Sequence, residues 1–335
     1  MAALTGERTW VVTGAAGFIG SHLVEALLRR EQQVVSVDDF SSGHWANLDE
    51  VQRAVGPQAW RRHRFIEGSV ADREVCRDAC QGAHIVLHQA ARGSVPRSIA
   101  DPIATHRANV DGFVNMLVAA RDARVARFVY ASSSSVYGDN EALPKMEEST
   151  GRALSPYAAS KQINELYADV FARCYGMQVI GLRYFNVFGP RQDPEGAYAA
   201  VIPRWVRALL VGEPVEVNGD GETTRDFCYV ANAVQANLRA ALSEHPEATN
   251  RVYNIAVGES TSLNTLLGLL AELLEAPSIQ RVQRPLRAGD VRHSRADIAL
   301  ARRLLEYRPS HTLASGLREA LPWYVKRFGA TVAVN

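Results

Sequence analysis

The sequence predicts an α/β fold: a doubly wound parallel sheet carrying a smaller mixed α/β lobe. Three observations lead there. The first half of the 335-residue chain alternates short β-rich runs with amphipathic helical stretches, the mark of β-α-β units. A glycine series, Gly14-Ala15-Ala16-Gly17-Phe18-Ile19-Gly20, lies where the first strand should turn into the first helix. After Gly189 the alternation stops, broken by Pro190, Pro194, Pro203 and Pro214.

In chain order, Trp10–Thr13 reads as a buried strand and 18–30 as a helix. Val34–Val37 is the next strand, with Asp38 at its carboxyl end. Further strands are expected at 65–67, 85–87, 128–131 and 179–183, with long helices at 103–122 and 156–175. Residues 1–189 thus form the expected sheet domain, and 190–335 mainly the second lobe. There, strands are expected at 215–217, 227–229 and 252–255, and helices at 202–210, 230–242, 263–274, 296–305 and 314–328. Strand 227–229 or 252–255 could return to the main sheet.

Composition excludes several classes. A net charge of +1 gives no reason to expect nucleic acid or membrane as partner. No apolar run approaches membrane-spanning length, and the start lacks a signal-peptide core. Cys76, Cys80, Cys174 and Cys228 are scattered, which argues against a zinc site or disulfide framework and for reduced thiols in a cytoplasmic protein. No metal is expected. Only three of the 37 basic residues are lysines (Lys145, Lys161 and Lys326), which makes Lys161 stand out.

The glycines point to a dinucleotide. Gly14 permits the tight turn, Gly17 lets backbone amides approach a pyrophosphate at the helix N-terminus, and Gly20 lets helix and strand pack closely. This is the Rossmann-type fingerprint in its required context. Asp38 lies 18 residues past Gly20, placed to accept hydrogen bonds from ribose hydroxyls and to repel a 2′-phosphate. Asp39 follows it with no neighbouring cation, so NAD is favoured over NADP. Ser69 and Val70, after the third strand, suit the adenine side.

Tyr157 and Lys161 share a helix face, four residues apart in Tyr157-Ala-Ala-Ser160-Lys161. A nearby ammonium favours phenolate, so the tyrosine is the candidate acid/base. A Tyr–Lys pair alone is usually just an amphipathic face. The serine run Ser132–Ser135 ahead of Val136-Tyr137-Gly138, together with the glycine series, lifts it above that reading.

With these residues in hand, the chain resembles the extended short-chain dehydrogenase/reductases of the UDP-sugar 4-epimerase type. His88-Gln89-Ala90-Ala91, Asn109-Val110-Asp111-Gly112 and Leu182–Gly189 add to the likeness. The stretches 192–203 and Gly289-Asp290-Val291-Arg292-His293-Ser294 are similar to bacterial UDP-N-acetylglucosamine 4-epimerases.

The resemblance implies NAD, a UDP-sugar and a homodimer. It implies Ser133, Tyr157 and Lys161 as the catalytic set, with Ser134 or Ser135 as alternatives for the serine that bonds O4. Phe18, Ile19, Ser42, Gly43, Gln89, Ala90, Ala91, Asn109 and Tyr184 join the implied cofactor contacts. Asn186, Arg225, Arg287 and Asp290 match nucleotide-sugar ligands, Ala200, Val201 and Ile202 fall where uracil is held, and Ser94 and Val95 fall at the sugar pocket.

Three substrates compete. Ser294 leaves room for an N-acetyl group, favouring UDP-GlcNAc/UDP-GalNAc. Arg92 and Arg191 are spare cations that could pair with a C6 carboxylate, favouring a UDP-hexuronate. UDP-Glc/UDP-Gal ranks third. A 4,6-dehydratase would want an Asp-Glu pair where Ser134 and Ser135 stand. A non-catalytic NAD-binding regulator would not need the full catalytic set.

Overall fold

The computed structural model describes residues 6–193, 200–276, 279–285 and 291–332. Its first half runs β1 (Thr9–Thr13), α1 (Phe18–Leu28), β2 (Gln33–Asp38), α2 (Trp45–Trp60), β3 (His63–Glu67), α3 (Arg73–Cys80), β4 (Ile85–His88), α4 (Val95–Ala100), α5 (Pro102–His106), α6 (Gly112–Asp122), β5 (Arg127–Ser133), α7 (Pro156–Tyr175) and β6 (Val179–Tyr184). The remainder runs β7 (Val187–Phe188), α8 (Val201–Val211), β8 (Val215–Asn218), β9 (Thr224–Arg225), β10 (Cys228–Tyr229), α9 (Val230–Leu242), β11 (Arg251–Ile255), β12 (Thr261–Ser262), α10 (Leu263–Leu273), β13 (Arg281–Arg284), α11 (Ala299–Leu304) and α12 (Leu313–Val332).

Seven parallel strands form the main sheet, in the order β11-β6-β5-β4-β1-β2-β3. Parallel strands covered by helices on both faces are buried along their whole length, so they read as continuous apolar runs. Trp10-Val11-Val12 and Ile85-Val86-Leu87 are such runs, nearly or wholly excluded from solvent. One apolar cluster, including Leu23, Leu27 and Tyr253, covers one face, and another, including Phe113, Met116 and Phe128, covers the other. A third gathers Trp205, Leu266, Leu317 and Tyr324 beneath the later elements. No described helix is long and apolar enough to cross a membrane.

Two features position the site. Strand order reverses between β1 and β4, and the crevice beyond the carboxyl ends of those strands is where ligands bind in such sheets. Helix α7 enters that crevice under tight control. The Ser155 hydroxyl accepts from the Ala158 amide, Pro156 opens the first turn, and Gly176 ends the helix in the left-handed conformation.

Two expectations need correction, and one open alternative is resolved. The helix expected over 103–122 is not a regular α-helix throughout: α5 and α6 are joined by a π-helical turn, Arg107–Asp111. The Asn164 side-chain amide donates to the Asn109 carbonyl at 2.7 Å, satisfying a backbone group within the π-turn. Strand β11 pairs with β6 in the main sheet, whereas Cys228–Tyr229 pairs only with β7. The helix expected from 296 begins at Ala299, where the Asp297 carboxylate accepts the Ala299 amide. Residues 292–297 instead run as an extended strap past Thr224 and Lys145.

Candidate active site

The glycine loop packs at the reversal point. Gly14 has φ +65°, and a Cβ on it would lie 2.8 Å from the Ala90 nitrogen. A Cβ on Gly20 would lie 2.0 Å from the Gly14 carbonyl oxygen, so only glycine lets α1 start this close to β1. Gly17 caps α1 without any side-chain bond, leaving the first-turn amides available to an anion. The Thr13 hydroxyl accepts from the Ala90 amide at 3.1 Å, joining the ends of β1 and β4.

Asp38 closes the other end of this half. Its carboxylate accepts the Ala16 amide at 2.8 Å and the Phe40 amide at 2.9 Å. Burial pushes its pKa up, against those two bonds. Gly43 does not line the cleft. It allows the chain to pass close by, because a Cβ there would lie 2.9 Å from Asp38 Oδ1.

A cleft of about 460 Å³ opens over this loop. Gly14, Gly17, Phe18, Ile19, Gly20, Asp38, Ser42, Ser69, Val70, Gln89, Ala90, Ala91, Tyr157, Lys161 and Tyr184 line it, as do Ser133, Arg92 and Asn186. Gln89 is fixed by Tyr184, whose hydroxyl donates to Gln89 Oε1 at 3.1 Å, and Asn237 bonds both. A dinucleotide therefore finds open helix-end amides, a carboxylate at the end of β2 and an unobstructed groove between them.

The catalytic candidates converge at the inner end. Lys161 is buried, and its ammonium donates to the Ala131 carbonyl at 2.7 Å while lying 6.0 Å from the centre of the Tyr157 ring. Burial pushes the Lys161 pKa down to about 8, and Glu165 pulls it partly back. The sequence led us to expect a tyrosine shifted towards phenolate. The structure shows the opposite direction: burial pushes the Tyr157 phenol up, and the Ser133 hydroxyl beside it pulls it only partly back. Ser133 Oγ accepts from both the amide and the hydroxyl of Ser135. Ser134 and Ser135 lie on the 3₁₀ turn Ser134–Tyr137 and do not line the cleft.

Other expected residues fall elsewhere. Asn109 is buried away from the cleft; its Oδ1 accepts the Arg92 amide at 2.7 Å and its Nδ2 donates to Ser160 Oγ at 3.0 Å. It ties the Arg92 backbone to α7. Ser94, with φ +149°, caps α4 by accepting the Arg97 amide, and Val95 begins that helix; neither lines the cleft. Ala200 caps α8 without a side-chain bond, and Val201 and Ile202 open it, the Ile202 side chain lying in the apolar core. Arg225 Nη1 donates to the Thr224 and Arg292 carbonyls. Ser294, on the strap, is buried and donates its amide to the Thr224 carbonyl at 3.2 Å, so Arg225 and Ser294 sit on adjoining strands. Arg287 and Asp290 lie outside the described residues.

Arg191 stands apart from the cleft. It is buried with φ +64° and pairs with Glu25 at 2.5 Å and Glu50 at 3.4 Å. Two carboxylates from α1 and α2 hold its Nη2 and Nε, while its Nη1 is buried with no hydrogen-bond partner among the described residues. Burial that would raise the Glu25 pKa is outweighed by Arg191 and Arg29, which hold it below the usual carboxylate range. Arg92 does line the cleft and pairs with Asp101 at 3.3 Å.

The sequence reading also missed residues. Gly68 and Ser41 line the cleft without belonging to any recognisable pattern, and Gln192, at the start of the stretch 192–203, lines it without having been singled out. Glu165 was findable, since it continues the Tyr157–Lys161 face by one more turn.

Comparison with known proteins decides the family. Residues 10–256 match the model of the NAD dependent epimerase/dehydratase family. The chain belongs to this family. Its cofactor is NAD, in keeping with the glycine loop and Asp38. A UDP-glucose 4-epimerase of Mycolicibacterium smegmatis is 35% identical over 316 residues, covering 94% of this chain and 97% of that one. The structure of a UDP-N-acetylglucosamine 4-epimerase from Methanobrevibacter ruminantium, in complex with UDP-N-acetylmuramic acid, is 35% identical with a TM-score of 0.89, covering 96% of this chain and 100% of that one. That of a UDP-glucuronic acid 4-epimerase from Bacillus cereus, with UDP-glucuronic acid and NAD, is 28% identical with a TM-score of 0.85, covering 95% of this chain and 99% of that one.

Proposed function

We propose that this NAD-dependent UDP-sugar 4-epimerase inverts C4 of the UDP-GlcNAc/UDP-GalNAc pair. One observation carries the reaction type. Among the described residues lining the cleft, the carboxylates are Asp38 and Asp39, both at the end of β2, and the groups beside Tyr157 are Ser132, Ser133 and Lys161. The family covers epimerisation and dehydration. Dehydration needs a further general acid and base beside the sugar, and no lining carboxylate is there to serve.

The open amides of α1 would hold the NAD pyrophosphate, Asp38 the adenosine ribose, and Lys161 the nicotinamide ribose. When bound, NAD would supply the reversible hydride acceptor for C4. Tyr157, ionised by the positive charge that Lys161 and the bound oxidised nicotinamide would bring, takes the 4-hydroxyl proton, and the sugar becomes a 4-keto sugar. Ser133 holds O4 and orients that proton. The sugar then turns about its bond to the diphosphate, presenting its opposite face, and Tyr157 returns the proton to O4. Arg225 binds the diphosphate, Asn186 the neighbouring sugar side, and the amides opening α8 at Ala200, Val201 and Ile202 the uracil.

Ser294 supports the N-acetylated sugar through the resemblance: it is buried and outside the cleft's lining, but a small side chain stands at a position implied to be bulky in epimerases restricted to plain hexoses. The uronate alternative now rests on Arg92 alone, since Arg191 is engaged by Glu25 and Glu50. Incubating the purified protein with UDP-GlcNAc, UDP-Glc and UDP-GlcA and resolving the C4 epimers tests the choice. UDP-GlcNAc should turn over fastest; faster turnover of UDP-GlcA would move the assignment to the uronate.

The working assembly we propose is a homodimer. Helices α4, α5 and α7 pack together and leave Ile99, Ile103, Leu166 and Val170 exposed on their outer faces. A second copy covers such a surface, and sedimentation velocity checks it.

A further inference from the structure

A chain of buried polar groups runs from the carboxyl end of β5 to the strap that carries Ser294. Ser132 Oγ donates to Glu165 Oε1 at 2.5 Å. The Arg183 guanidinium grips both oxygens of the same carboxylate, at 2.9 and 2.7 Å. Arg183 Nη1 donates onward to the Tyr137 hydroxyl at 3.1 Å, and that hydroxyl donates to Asn254 Oδ1 at 2.6 Å. The Asn254 amide then donates to the carbonyls of Lys145 and Asp297, at 2.9 and 3.0 Å. Asp297 ends the strap.

The same strap is pinned at further points, among them these two. The Lys145 amide donates to the Arg295 carbonyl at 2.8 Å, and the Ala296 amide donates to the Asp226 carboxylate at 3.2 Å. Arg183, Tyr137 and Asn254 are almost wholly excluded from water. Buried ions and amides of this kind often contribute less stability than apolar replacements would, but they define geometry closely because each partner must be met.

What they define here is set by where the chain ends. Glu165 lies one helical turn beyond Lys161 and two beyond Tyr157, so it fixes that face of α7 against Ser132. Ser132 precedes Ser133. The other end holds Asp297, three residues past Ser294 on the same strap. We propose that Tyr137 is a positioning residue: with Arg183 and Asn254 it sets the separation between the proton-transfer groups and the wall beside the sugar's C2 substituent. This inference rests on the sugar-pocket reading of Ser294.

The test is Tyr137→Phe in the NAD-loaded enzyme, which keeps the buried ring and removes the hydroxyl shared by Arg183 and Asn254. Without substrate, hydrogen–deuterium exchange should quicken roughly tenfold in peptides spanning 131–135 and 292–297, the scale of one lost buried hydrogen bond. Peptides over β8 should not change. With substrate, the ratio of kcat/KM for UDP-GlcNAc to that for UDP-Glc should fall, and Ser294→Ala should add less in the Tyr137→Phe background than alone. Unchanged exchange at 292–297 overturns the proposal whatever the sugar. A lowered melting temperature with an unchanged sugar ratio and additive variants also overturns it, since that is a purely structural role. Should Tyr137→Phe fail to fold, Ser132→Ala opens the chain at its other end and must quicken exchange at 292–297; if it does not, the proposal falls. A wild-type enzyme that epimerises neither sugar would sink the function reading, while exchange would still judge the chain.

Discussion

The two ends of the cleft contrast in how their chemistry is specified. At the cofactor end, the decisive atoms are backbone atoms. Gly14 and Gly20 are required because a Cβ at either would run into backbone, and Asp38 meets the Phe40 amide in its own loop and the Ala16 amide in the glycine loop. Such a site shows in the sequence as glycine spacing and a placed carboxylate, even though Gly14 is pressed by Ala90 from a distant strand. At the sugar end, the decisive atoms are side-chain charges, and their availability depends on what the rest of the chain folds against them. Arg92 and Arg191 look alike as spare arginines, yet one lines the cleft and the other is locked between Glu25 and Glu50. Motif spacing finds the first kind of site; the second needs the tertiary partners.

The largest expected effect tests whether the two ends meet at Tyr157. Tyr157→Phe should lose about two to four decades in turnover, the scale of a general acid/base, while NAD content and UDP affinity persist. Steady-state kinetics and calorimetry check this. Near-normal turnover would remove Tyr157 from the chemistry and leave the cleft a binding site alone.

Next comes the buried cation. Arg191→Leu leaves Glu25 with Arg29, and Glu50 with the Trp323 indole, as their remaining partners. Breaking a buried pair on one side costs about 3–5 kcal/mol, and the partners left here place the loss near the lower figure. Urea unfolding should show it, with all UDP-sugars affected alike at temperatures where the variant is folded. Unchanged stability with selective loss of UDP-GlcA turnover would return Arg191 to the substrate.

Much was legible before folding. The β-α-β alternation, the reversal-point glycines, Asp38 and the Tyr157–Lys161 face all follow from local sterics and periodicity. What was not legible has physical reasons. The π-turn at Arg107–Asp111 is supported by Asn164, 55 residues from Asn109, so helical periodicity alone reads 103–122 as unbroken. The upward shift of Tyr157 comes from burial, which spacing to Lys161 does not report. Arg183 looks like an ordinary strand residue until the sheet brings it against Glu165.

A smaller effect sharpens the sugar end. Ser294→Tyr fills the space that the acetamido group needs as the keto sugar turns. Overpacking costs about 1–3 kcal/mol, so turnover of UDP-GlcNAc should fall by roughly one to two decades more than that of UDP-Glc. Competition kinetics with both sugars give the ratio directly. Equal losses would place Ser294 away from the C2 substituent.

The smallest effect concerns Arg92, the cation that does reach the cleft. Its ion pair with Asp101 is partly exposed, at 28% and 50% of the two side chains, so losing it should cost no more than about 1 kcal/mol. Its backbone is held independently by Asn109, which bonds both its amide and its carbonyl. Arg92→Leu therefore removes a charge and leaves the loop in place. An N-acetylated sugar has no group that needs this charge, so turnover of UDP-GlcNAc should stay within about threefold of wild type, a change below about 0.7 kcal/mol. A uronate does need it, because a carboxylate carried into the cleft without its cation loses the charge-assisted bonds that offset its desolvation. Measured side by side, a wild type that turns over UDP-GlcA and a variant that does not, with UDP-GlcNAc slow in both, would make Arg92 the specificity residue and the uronate the substrate.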